Sequence, residues 1–156
     1  MSEPNVYRPS LDEESKRPGF RCRGAAIAQQ AGAERLGASL YEVEPGEATT
    51  PYHWHAGNEE LLIVVRGRPS LRTPEGWREL AEGEVVAFPR GERGVHQLAN
   101  RGDEPARFVI FSEMHQPDVV VYPDSGKVGA RSRPDGIRLN FVADDAVGYW
   151  HREEYP

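Results

Sequence analysis

"PYHWHAGNEELLIVVRG", Pro51 to Gly67, sets two histidines one residue apart, then two glutamates, five aliphatic residues and a glycine. Alternate residues of a strand point to the same face. His53 and His55 therefore aim their imidazoles at one point if the segment is extended. Glu59 and Glu60 lie beyond Ala56-Gly57-Asn58, small residues at which the chain can turn and bring a carboxylate back. "EELLIVVRG" is the clearest strand in the chain, because β-branched residues are frequent and Gly67 ends it. Its unbroken apolar run predicts burial on both faces, or one face on the core and the other on a partner.

Working outward, short extended segments recur between turn signals. "ASLYEVEPG" reads as a strand closing at Pro45-Gly46, and "TPYHWH" as the next. "SLRTPEGWREL" reads as a hairpin turning at Pro74-Glu75-Gly76. "EGEVVAFP", "GVHQLAN", "ARFVIFSE" and "DVVVY" follow as further strands. Strands spaced by roughly 8–12 residues with turns between them predict an all-β sandwich or barrel. Sixteen glycines and thirteen prolines suit such a chain and break long helices. "GAAIAQQAGAERLG", Gly24 to Gly37, reads as a short helix or an irregular edge.

The ends differ from the middle. Residues 1–20 are charged and proline-bearing, and read as a loose arm. Tyr122 to Gly136 is turn-rich, and "IRLNFVADDAVGYWHREEYP" reads as a flap on the barrel or on a partner subunit. The expected organisation is an arm over 1–35, a core over 36–122 and a C-terminal extension over 123–156.

A chain of 156 residues is long enough for one domain with a real core. The net charge is −6, and the arginines are scattered without a basic run, which argues against a nucleic-acid partner. The longest aliphatic run, Leu61 to Val65, is far short of the roughly 20 residues a membrane helix needs. The first residues are polar with no apolar signal core. Cys22 is the only cysteine, so no disulfide forms within the chain. These features predict a cytoplasmic protein with no membrane partner.

His96, distant in sequence, also falls on an expected strand. Three neutral imidazoles and one carboxylate suit a divalent transition metal. The remaining spacing resembles the cupin family. Its first motif is carried by Gly46, His53, His55, Glu60 and Gly67, and its second by Gly83, Pro89, Gly91, His96 and Asn100. The distance to Gly67 selects Glu60 over Glu59. Relative to the family pattern, one extra residue separates Gly46 from His53, and two extra residues separate Gly91 from His96.

The resemblance implies a double-stranded β-helix, or jelly-roll, barrel of the small bacterial, single-domain, RmlC-like type. It implies one metal (Zn, Mn, Fe, Ni, Co or Cu) held by His53, His55, Glu60 and His96. The function it implies is a metal-dependent enzyme on a small oxygen-rich metabolite: a sugar, hydroxy acid or keto acid. A non-catalytic binding module and a sugar-phosphate isomerase-like enzyme are the alternatives. Family members pair through sheet edges, so a homodimer is expected.

Other polar residues carry weaker signals. Glu59 is the nearest candidate for a second acid or base, Asn100 for a turn or outer-sphere contact, and Lys127, in "PDSGK", for a substrate contact. Tyr52 and Trp54 alternate with the histidines and are expected to pack between sheets. Cys22 is expected to be inert, and His115 and His151 to face solvent. Phe88, Phe108, Phe111, Ile63 and Val65 are expected in the core or pocket wall.

Overall fold

The computed structural model describes residues 4–155. In chain order the strands begin with β1 (Glu13–Ser15) and β2 (Cys22–Ala25), followed by one helical turn, α1 (Ile27–Gln30). Next come β3 (Gly37–Val43), β4 (Trp54–His55), β5 (Glu60–Arg66), β6 (Ser70–Thr73) and β7 (Gly76–Glu79). The rest are β8 (Val85–Phe88), β9 (Gln97–Ala99), β10 (Ala106–Ser112), β11 (Asp118–Tyr122), β12 (Lys127–Ser132) and β13 (Ile137–Val142). They form an all-β jelly roll of antiparallel sheets, ordered β1-β2-β3-β10-β5-β8, β13-β12-β11-β4 and β7-β6-β9. No helix among the described residues is long and apolar enough to cross a membrane.

The core follows strand alternation. Leu62 and Val64 of β5 face inward with Phe108 of β10 and Val43 of β3, and meet Leu71, Leu80, Phe88 and Leu98. Gly67 ends β5 at φ +76°, where a Cβ would sit 2.7 Å from the Pro105 carbonyl oxygen. Only glycine combines that left-handed backbone with so close an approach.

Several expectations change. The apolar run of β5 is not buried on both faces: Leu61 is 37% exposed, as is its cross-strand partner Phe111. Phe111 therefore faces outward rather than into the core. The N-terminal segment is not loose. β1 and β2 extend the six-stranded sheet, and Val6 and Leu11 pack with Ala28, Ala38, Leu40 and Val109 on its outer face. "TPYHWH" is a strand only at Trp54–His55, with a single β-bridge joining His53 to His96. The extension is part of the fold, since β12 pairs with β11 and β13 with β12 in full antiparallel register.

Candidate metal centre

The His53–His96 bridge brings two distant segments together. Each backbone N–H donates to the other's carbonyl, at 3.0 and 2.9 Å. His55, on β4, pairs with Val120 of β11, and Glu60 opens β5 between Ser112 and Phe88. Ligating atoms of His53, Glu60 and His96 all lie within 4.8 Å of one another. His96 Nε2 and His55 Nε2 lie 3.5 and 3.7 Å from Glu60 Oε2. Metal–ligand bonds of about 2.0–2.2 Å place neighbouring donor atoms roughly 3–4 Å apart. The four residues predicted from sequence thus come together, with His55 at the margin of the closer three.

The other ring nitrogen of each histidine is fixed. His53 Nδ1 lies 2.8 Å from the Pro51 carbonyl, His96 Nδ1 lies 2.9 Å from that of Gly94, and His55 Nδ1 lies 2.6 Å from Asp118 Oδ2. Carbonyls and carboxylates accept and cannot donate, so each Nδ1 carries the hydrogen. In a neutral ring Nε2 is then an open lone pair. Three such lone pairs beside one carboxylate are a metal donor set, and the residues present fit a divalent transition ion.

Electrostatics agree for the two most buried rings. Burial, reinforced by His55, lowers the His53 pKa to about 4. Burial, reinforced by His53, lowers that of His96 to about 3. Burial also pulls His55 down, but the Asp118 hydrogen bond and the charges of Glu60 and Asp118 outweigh it and leave the ring raised. Burial raises the Glu60 carboxyl against the opposing pull of His55. Burial acts to raise Asp118 too, yet hydrogen bonds from His55 and the Gly57 N–H hold it below its ordinary value.

A pH dependence follows. Unfolded, His53 and His96 take protons near 6.5; folded, near 4 and 3. Between these values the unfolded chain binds more protons, so stability falls as pH falls. The effect is absent above pH 6.5 and is on the order of 3 kcal/mol for each ring once pH reaches about 4. The raised His55 works in the opposite sense and offsets part of it. Thermal melts of EDTA-treated protein should show Tm dropping between about pH 7 and about pH 4.5. A flat Tm across that range contradicts neutral, buried rings.

The two extra residues before His96 are absorbed by a 3-10 turn, Glu92–Gly94. The Gly91 N–H caps the His55 carbonyl at 2.9 Å, and Phe88 stacks on the His96 ring with centroids 3.7 Å apart. The insertion therefore leaves His96 in the centre.

A cavity of about 650 Å³ opens on the four residues and is also lined by Tyr41, Asn58, Asp118 and Arg131. Of the weaker candidates, Glu59 is exposed and, unlike Glu60, is not among the residues lining the cavity. Asn100 is buried and closes a turn: its amide donates to the Val43 and Glu104 carbonyls, and its oxygen accepts from the Gly102 N–H. The Lys127 ammonium rests 5.0 Å from the centroid of the Tyr122 ring, which lines the cavity. Tyr52 is buried under the Arg72 guanidinium. Cys22 is half-buried, and burial pushes its thiol up.

Sequence reading missed Asp118, Tyr41 and Arg131. An acid opening the apolar segment "DVVVY" was the one signal for Asp118. Asp118 holds the His55 tautomer, and losing such an outer partner weakens metal binding by about 10–100-fold. Asp118→Asn is expected to fall in that range by chelator competition. Unchanged affinity removes the role.

Residues 39–112 match the cupin domain model, a span containing all four candidate ligands. Auxin-binding protein ABP19b of Prunus persica is 36% identical over 100 residues, covering 60% of this chain and 46% of that protein. The chain thus spans about half the length of the curated relatives it matches. A putative sugar phosphate isomerase from Acidithiobacillus ferrooxidans superposes with TM-score 0.76 at 27% identity, over 84% of this chain and 82% of that one. A sugar phosphate isomerase of the cupin superfamily from Silicibacter pomeroyi gives TM-score 0.80 at 21% identity, over 93% and 95%, a likeness of fold alone. With the matched model, the likeness to the Acidithiobacillus protein and the paired histidine motifs in agreement, residues 39–112 of the chain are a cupin domain.

Proposed function

We propose that the protein is a metal-dependent enzyme acting on a small, polar, oxygen-rich metabolite. One observation carries the reading: three imidazoles with their Nδ1 hydrogens engaged turn their Nε2 lone pairs towards Glu60 beside an open cavity. His53, His55, Glu60 and His96 would hold one divalent ion. Such an ion supplies Lewis acidity at its open positions and suits a chelating hydroxy acid, keto acid or sugar.

The chain's own residues define the surroundings. Burial raises the Tyr41 phenol, so Tyr41 keeps its proton and offers a hydrogen bond to a substrate oxygen. Asp118 orients His55. A wall purely of hydrocarbon would favour a binding module; Ser39, Tyr41, Thr49 and Gln116 in the lining favour catalysis. The likeness to the Acidithiobacillus protein favours a sugar-phosphate isomerase-like reaction as a second reading. Exposed Leu61, Val85 and Phe111 on the outer face of the six-stranded sheet support the homodimer.

Elemental analysis of the purified protein, with a screen of hydroxy acids, keto acids and sugars before and after EDTA, tests the proposal. The expected result is about one equivalent of metal per chain and turnover that EDTA abolishes. Undiminished turnover by metal-free protein rejects it.

A further inference from the structure

We infer that the cavity selects an anion, a small carboxylate or phosphate carrying further oxygens, and that Arg131 and Arg138 anchor it. This rests on the proposed reading of the cavity as a substrate site and narrows it: neutral sugars drop out.

Arg131 and Arg138 are direct cross-strand partners on β12 and β13, and both line the cavity. Arg133, just beyond β12, lines it too. Like charges directly opposite on a ladder repel and destabilise it. A carboxylate between them would relieve this, but among the described residues none of the three arginines is in an ion pair. Seven arginines elsewhere are paired.

The nearby acids are engaged elsewhere. Asp118 stands opposite Arg131 on β11, yet its two oxygens go to His55 Nδ1 and the Gly57 N–H. Asp135, in the turn between β12 and β13, accepts from the Ser132 hydroxyl.

The Arg131 guanidinium is held without being neutralised. It donates to the carbonyls of Ala130 and Leu139 at 3.0 and 2.7 Å, to Asn140 Oδ1 at 2.8 Å and to the Tyr122 hydroxyl at 3.4 Å, all uncharged. Gly129 makes room for it, since a Cβ there would sit 2.9 Å from both terminal nitrogens. A strand glycine with this use marks a close approach that the fold accommodates. A chain of net charge −6 thus gathers three uncompensated cations on one cavity wall. That arrangement attracts and orients an anion, and guanidinium forks match carboxylate and phosphate oxygens.

Calorimetry with three matched probes tests this: glycerol, glycerate and glycerol 3-phosphate. Each is titrated into manganese-loaded and EDTA-treated protein, wild type, Arg131→Gln and Arg138→Gln. At least one anion should bind manganese-loaded wild type about tenfold or more tighter than glycerol, and each substitution should remove about tenfold of that. The tighter anion tells carboxylate from phosphate. Arg138 is exposed, so its substitution spares the fold if Arg131→Gln unfolds the hairpin. Metal content read on the same samples separates the two proposals. Arginine-dependent anion binding to a protein that takes up no manganese keeps this inference and excludes manganese from the centre. Metal uptake with anion binding indifferent to both substitutions, or no preference for either anion over glycerol, overturns the inference.

Discussion

Glu60→Gln is expected to yield a folded protein that no longer retains metal. The substitution keeps the shape of the side chain and removes the one carboxylate among the four donors. The loss in affinity should exceed the roughly 100-fold that marks the upper bound for an outer partner. The metal-free variant should be at least as stable as the metal-free wild type, because burial disfavours the Glu60 carboxylate more than the neighbouring His55 ring favours it. Metal at about 100 times its Kd adds about 2.7 kcal/mol to the wild type. The Tm rise on adding metal should therefore vanish in the variant. His96→Ala should lose metal as well, and some stability, because it empties the space against which Phe88 stacks. If both variants purify with a full equivalent of metal, the ligand set is wrong.

Gly94→Ala is expected to damage the centre from outside it. A Cβ at Gly94 would lie 1.8 Å from the Pro89 carbonyl oxygen and 2.8 Å from its carbonyl carbon. These are backbone atoms, so the 3-10 turn itself has to move. The Gly94 carbonyl is also the acceptor for His96 Nδ1, and a displaced turn carries that hydrogen bond with it. The expected cost is about 2–3 kcal/mol in stability, the upper part of the range for forced overpacking, together with weakened metal binding. Gly126→Ala is the control: its φ is +60° but nothing lies within 4 Å of the new Cβ. It should cost only the left-handed backbone penalty of about 1 kcal/mol and leave metal affinity alone. Equal effects of the two substitutions contradict the steric account.

The candidate ligands were legible because their spacing is a local quantity. His53, His55, Glu60 and His96 sit at fixed distances from glycines that end strands or shape turns, and the strand alternation of β5 and β10 is plain in the sequence. Asp118 and Arg131 were not legible, because their placement depends on β11 pairing with both β4 and β12. No single stretch of chain encodes that register. Of the two readings of β5, burial on both faces failed for a related reason, while one face on the core and the other left for a partner stands. An apolar run says which residues avoid water, but not that the outer face of the sheet near Leu61 and Phe111 stays uncovered.

The β12–β13 hairpin separates the chain into parts under unequal constraint. Every described donor around the centre comes from residues 53–96 and their partner Asp118; Glu60 and Asp118 stand on strands paired on both sides, and His53 is bridged to His96. β13 is an edge strand with all six residues exposed, and substitutions at such positions usually change stability by no more than about 0.5 kcal/mol. Yet Ile137 and Arg138 on that strand line the cavity. Mutational drift in β13 can therefore retune which molecules enter while the imidazole cluster stays intact, so this strand is where a directed-evolution library would reach new substrates at the least risk to folding.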